Sequence, residues 1–136
     1  MIEHIKNFPK HIEGSLKDLK DHNLKLEEIS KVVIAGMGGS AIAGLILKDL
    51  FPEMDIVVER NYFPNTTIDE HTLVIVCSYS GNTEETLSYY DYAVRLTDHA
   101  TVLTTGGELL KKAKLDNISY HLLPKVYPPR SALGFS

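Results

Sequence analysis

The chain has 136 residues, 43% hydrophobic and 24% charged, with a formal net charge of −4 at pH 7; this is the composition of one globular domain, able to bury roughly two-thirds of its unfolded surface, and it excludes a disordered chain. The acidic balance, with no lysine–arginine cluster, argues against a nucleic-acid surface, and the single cysteine, Cys77, excludes an internal disulfide and fits a reducing cytoplasm. No apolar run is long enough to span a bilayer and the first residues lack a signal-peptide core, so a soluble, cytoplasmic protein is expected.

In chain order, residues 1–30 read as an amino-terminal helical segment. Ile12, Leu16 and Leu19 recur at steps of four and three among charged neighbours, with Pro9 suited to the first turn. Residues 31–136 then alternate strands and helices. Lys31 to Gly36 is a β-branched run ending in glycine, and Ser40 to Phe51 a helix closed by Pro52. Asp55 to Glu59 is a second strand, and Leu73 to Cys77 a third. A helix starts at Asn82 or Thr83 and runs to about Leu96, with Asn82 and Glu85 at capping-box spacing. Ala100 to Thr105 is a fourth strand, Glu108 to Ala113 a short helix, and Asn117 to Leu123 a fifth strand. Apolar runs without alternation imply strands buried on both faces, hence an α/β fold: a three-layer, doubly wound sheet of five parallel strands. Ligands of such sheets sit beyond the strand carboxyl ends, where strand order reverses.

Two polar loops fall at such ends, after the first and third strands. Ser78-Tyr79-Ser80-Gly81-Asn82-Thr83-Glu84-Glu85-Thr86 places three hydroxyls and a glycine between a strand and a helix. Free N–H groups and the positive end of a helix dipole suit an anion there, and the hydroxyls add donors. No lysine lies in this loop, so a phosphate would be held by dipoles and hydroxyls. The other loop, Gly36-Met37-Gly38-Gly39-Ser40-Ala41, has two readings. Gly36, Gly38 and Ala41 meet the dinucleotide fingerprint, with Glu59 about 20 residues on as the ribose carboxylate. Alternatively Gly38, Gly39 and Ser40 form the wall of a small-ligand pocket. Cys77 ends an apolar strand and reads as core rather than nucleophile. No pair of histidines, with or without Cys77, has metal-ligand spacing.

Ser78, Ser80, Gly81 and Thr83 match the Ser-x-Ser-Gly-x-Thr phosphate turn of the sugar isomerase (SIS) domain family. Within it the chain resembles the amino-terminal half of the bifunctional phosphoglucose/phosphomannose isomerases, through Gly36 to Ser40, Ser78 to Thr86, and Pro129-Arg130-Ser131-Ala132-Leu133-Gly134. The resemblance implies a single flavodoxin-like SIS domain over 1–136. It also implies an aldose–ketose isomerisation linking glucose 6-phosphate or mannose 6-phosphate to fructose 6-phosphate through an enediolate. Ser78, Ser80 and Thr83 would bind the 6-phosphate, Gly38, Gly39 and Ser40 would line the sugar, and Arg130 would stabilise the enediolate, held by Pro128 and Pro129. No cofactor or metal is implied. A homodimer, or pairing with a second SIS domain, is expected.

The departure from that family is length. Its base glutamate, ring-opening histidine and lysine lie in a second half, so this chain is expected to be incomplete for catalysis alone. Glu84 and Glu85 read as helix first-turn residues. His71, His99 and His121 fall in or near loops and strand edges, and His4, His11 and His22 in the amino-terminal segment. A non-catalytic sugar-phosphate sensor and a dinucleotide-binding domain are the competing readings.

Overall fold

A computed structural model describes residues 28–125. Five strands and three helices alternate there: β1 (Lys31–Gly36), α1 (Gly39–Leu50), β2 (Asp55–Glu59), β3 (Thr72–Ser78), α2 (Glu84–Ala93), β4 (Ala100–Thr104), α3 (Gly107–Leu115) and β5 (Ser119–Leu122). The strands make one parallel sheet in the order β2-β1-β3-β4-β5. The chain moves outward from β1 to β2, then returns past β1 to lay down β3, so strand order reverses between β1 and β3. This is the flavodoxin-like arrangement expected from the sequence, with the switch point where the two polar loops begin.

Burial explains why these runs became central strands. Val33, Ile34, Ala35 and Gly36 are buried in succession, and β3 is buried at every position but Ile75. On one face Val33, Val74, Val76 and Val102 pack with Tyr89 and Tyr90 of α2 and Leu109 and Ala113 of α3. On the other, Ile34, Ile56 and Cys77 form a smaller cluster. There α1 approaches closely at Gly44, where a Cβ would lie 3.0 Å from Ile34 Cγ2 and 3.1 Å from Val58 Cγ2.

The element ends differ from the sequence reading for local reasons. α2 stops at Ala93 rather than near Leu96 because the chain tightens into i→i+3 bonds, Arg95 N–H to Tyr92 O and Leu96 N–H to Ala93 O. Thr97 then donates its hydroxyl to Thr72 O and draws the chain to the start of β3. β5 begins at Ser119 rather than Asn117, which has φ +56 and closes the turn after α3. The expected helix around Ile12, Leu16 and Leu19, the histidines His4, His11 and His22, and the Pro128-Pro129-Arg130 segment lie outside the described residues.

Tyr89 and Tyr90 are both fully buried, yet their hydroxyls differ. Tyr90 donates to Asp116 Oδ2 at 2.9 Å, whereas Tyr89 OH has no partner among the described residues. Burial raises both phenol pKa values above the ordinary one, with Glu59 adding to the rise at Tyr89 and Asp116 to that at Tyr90. Tyr90→Phe should cost about 1–2 kcal/mol in urea unfolding, while Tyr89→Phe, which removes an unmet donor, should be neutral or stabilising. Equal losses in the two variants would contradict this accounting.

Candidate functional site

The site begins with the pairing of β1 and β3. Gly36 lies opposite Cys77, and a Cβ on Gly36 would stand 2.8 Å from the Cys77 carbonyl oxygen. The loops after Gly36 and Ser78 therefore leave adjacent strands at nearly the same level.

In the first loop Gly38 is exposed with φ +55, a conformation that favours glycine. Ser40 N–H donates to Met37 O and Ala41 N–H to Gly38 O, each at 3.2 Å. No side chain caps α1.

The second loop is more tightly built. Ser78 is 2% exposed, and its hydroxyl oxygen accepts the Gly81 N–H at 3.1 Å and pairs with Thr83 Oγ1 at 3.0 Å. Ser80 is exposed, and its Oγ accepts the Asn82 N–H at 3.2 Å. Gly81 has φ +70, and a Cβ there would stand 1.8 Å from Gly106 O, so only glycine fits. Thr83 is the N-cap residue of α2 by position, but its side chain makes no capping bond because it is turned toward Ser78. The first-turn N–H groups of α2 are thus left without a side-chain cap, at the positive end of the helix dipole.

Each hydroxyl has one proton. In the Ser78–Thr83 pair one O–H is spent on the other oxygen, leaving one to give outward. Ser80 has its own O–H to give. The turn therefore offers an anion two hydroxyl donors together with the helix N–H groups, and residues 78–83 themselves include no lysine or arginine.

The other candidates are sorted by position. Glu59 is 4% exposed, and its carboxylate accepts from Asn61 Nδ2, Asn65 N–H and Thr66 N–H at 2.9–3.1 Å. It ties down the loop after β2 rather than facing a ribose, which removes the carboxylate the dinucleotide reading needs. Glu84 and Glu85 occupy the first turn of α2, and the Tyr62 phenol is raised by Glu85 and then Glu84. His71 contacts Glu28 O through Nδ1 at the amino-terminal edge of the sheet. His99 lines a cavity at that same edge with Glu70, Arg95 and Asp98, and His121 lies on β5. These histidines are not gathered at the two loops. Among the described residues no group of three or more His, Cys, Asp or Glu side chains could hold a metal ion, and no helix is long and apolar enough to cross a membrane.

Asn82 does not cap α2 with Glu85, as its spacing suggested. Its side chain turns to α3, accepting the Glu108 N–H at Oδ1 (3.0 Å) and donating from Nδ2 to Ser80 O (3.3 Å). Sequence reasoning also passed over Gly106 and Gly107. Their signal was a glycine pair directly after a strand, and their role is set by the neighbouring turn.

No family model matches the chain. A relative from Caldicellulosiruptor bescii named bifunctional phosphoglucose/phosphomannose isomerase is 40% identical over 141 residues, covering 100% of this chain and 42% of the relative. The C-terminal domain of glucosamine-fructose-6-phosphate aminotransferase from Francisella tularensis superposes with a TM-score of 0.68 at 16% identity, over 99% of this chain and 45% of that one. The chain belongs to the sugar isomerase (SIS) domain family. A further relative of this SIS domain, named D-glucosamine-6-phosphate 4-epimerase, from Sulfolobus acidocaldarius, is 37% identical over 101 residues, 74% of this chain and 32% of the relative. The SIS domain thus spans about two-fifths or less of the length of these curated relatives.

Cys77 sits below the site on β3, and burial pushes its thiol up to about 12. A thiol-specific reagent at pH 8 should leave the native protein unmodified and react fully after denaturation. Rapid labelling of the folded chain would show that the strand is open.

Proposed function

We propose that this SIS domain binds a hexose 6-phosphate, with the phosphate in the turn Ser78 to Thr83 and the sugar against Gly38, Gly39 and Ser40. The observation that carries the reading is the Ser78–Thr83 hydroxyl pair, which turns Thr83 away from capping and leaves the α2 N-terminus open toward two hydroxyl donors. The relatives support the ligand class, because their names differ in reaction and agree on a phosphorylated hexose, which the epimerase's name places at the 6-position.

In the isomerase reading the whole protein interconverts glucose 6-phosphate or mannose 6-phosphate with fructose 6-phosphate. The phosphate end anchors the open-chain sugar, so binding energy away from the reacting carbons orients C1 and C2. A base then moves a proton between them through an enediolate, whose charge Arg130 stabilises. Glu84 and Glu85 are ill placed for that base: in the first turn of α2 they sit beside the bound dianion. Among residues 28–125 the other carboxylate beside the turn, Glu108, is paired with Lys111 at 3.1 Å, so in this reading the 136-residue chain binds without efficient turnover. The same reading includes pairing with a second SIS domain. It is supported by α1, where Ile42, Leu45, Ile46 and Leu50 are 39–66% exposed.

Calorimetric titration with fructose 6-phosphate should show 1:1 binding that is lost in the Ser80→Ala, Thr83→Ala double variant. Each contact to a charged oxygen contributes about 1.5–3 kcal/mol. Unchanged affinity in that variant would move the phosphate elsewhere. Coupled glucose 6-phosphate and mannose 6-phosphate assays on the same samples should show isomerisation at most about 10⁻² of the rate of a complete relative, since a positioned base supplies about 10²–10⁴. A full rate would overturn the assignment of the base.

A further inference from the structure

The underside of the hydroxyl turn is built by a second helix. β3 and β4 are paired so that Ser78 lies opposite Thr104, which brings the start of α3 beneath the turn. Two N–H groups there, which would otherwise lack helical partners, are spent on it: Leu109 N–H donates to Gly81 O at 2.9 Å, and Glu108 N–H donates to Asn82 Oδ1 at 3.0 Å. The backbones are in contact. Gly107 has φ +70, and a Cβ on it would stand 2.5 Å from Ser80 O and 2.8 Å from Asn82 Oδ1.

Asn82 is exposed, a setting in which an asparagine side chain ordinarily serves water. Here both ends of its amide are committed. Oδ1 takes the Glu108 N–H, Nδ2 gives to Ser80 O, and the backbone N–H gives to Ser80 Oγ. One residue therefore grips the Ser80 peptide and its hydroxyl oxygen and ties both to the first turn of α3. With Oγ held as an acceptor, the Ser80 proton has to point away from Asn82. A chain of bonds from an N–H at the positive end of α3, through the amide, to the Ser80 carbonyl also polarises that peptide in one direction.

We propose that Asn82 is a positioning residue of the phosphate turn, fixing Ser80 so that its hydroxyl proton faces the anion and linking the turn to the dipole of α3 as well as that of α2. The inference rests on the reading that the turn holds a phosphate. It gives a physical reason why the turn works without a lysine: two helix N-termini, each equivalent to roughly half a positive charge, converge on it.

The test compares wild type, Asn82→Ala and Asn82→Asp by calorimetry with fructose 6-phosphate and with inorganic phosphate, alongside thermal melts and amide hydrogen exchange. Asn82→Ala should weaken both ligands by about tenfold and by the same factor, because the loss lies at the shared phosphate. Asn82→Asp keeps an acceptor for Glu108 N–H but loses the donor and adds a negative charge. It should bind more weakly than the alanine variant at low salt, with the gap narrowing as salt rises. Affinity of Asn82→Ala within twofold of wild type, with only its melting temperature lowered, would overturn the proposal and leave Asn82 a purely structural residue. Should the alanine variant not fold, the salt-dependent deficit of Asn82→Asp decides the matter, and its absence overturns the proposal. If wild type binds neither ligand, the functional reading fails by itself. Exchange then reads the clamp: faster exchange at residues 81–83 and Glu108 in Asn82→Ala supports it, and unchanged protection overturns it.

Discussion

Everything at the carboxyl edge depends on β1 lying against β3 with Gly36 opposite Cys77. A side chain at Gly36 would meet the Cys77 carbonyl at 2.8 Å, so the residue that permits the pairing is also the one that starts the first loop. Because the strands are neighbours, in register and parallel, two segments separated by about 40 residues in sequence emerge side by side. The core beneath them, Val33, Val74, Val76 and Val102 against Tyr89, Tyr90 and Leu109, keeps that register from slipping. Packing thus sets the geometry, and the loops supply the chemistry.

In the proposed reading that chemistry is anion binding with partial charges. Each turn element has its acceptors and donors assigned: Ser78 oxygen to Gly81 N–H, Ser80 oxygen to Asn82 N–H, Gly81 and Asn82 oxygens to the start of α3. What remains unassigned is a set of protons at one surface. Such a site would hold a dianion with less fixed charge than a lysine or arginine would bring, so ligand release would not have to break an ion pair. Glu84 and Glu85 beside it oppose a bound phosphate further, which favours modest affinity.

The sheet was readable because its central strands are buried on both faces and so appear as unbroken apolar runs. The hydroxyl turn was readable because its residue types are confined to a few positions between a strand and a helix. What escaped the sequence is tertiary. Asn82 has the spacing of a cap, and only the position of α3 shows that its amide is used elsewhere. Glu59 has the position of a ribose ligand, and only the fold of residues 60–66 shows its oxygens already filled. Gly106 and Gly107 carry meaning only once the turn at Gly81 lies against them. Local pattern decides element type, whereas contacts between elements decide which polar atoms remain available.

The most direct test of the account is a ¹⁵N–¹H correlation titration of the chain with fructose 6-phosphate. Binding at the turn should shift the amides of residues 80–86 together with Gly39 and Ser40, saturably, and leave those around His71 and His99 at the opposite edge unmoved. Saturable shifts centred on the amino-terminal edge, or a turn that stays silent while fructose 6-phosphate binds, would contradict it.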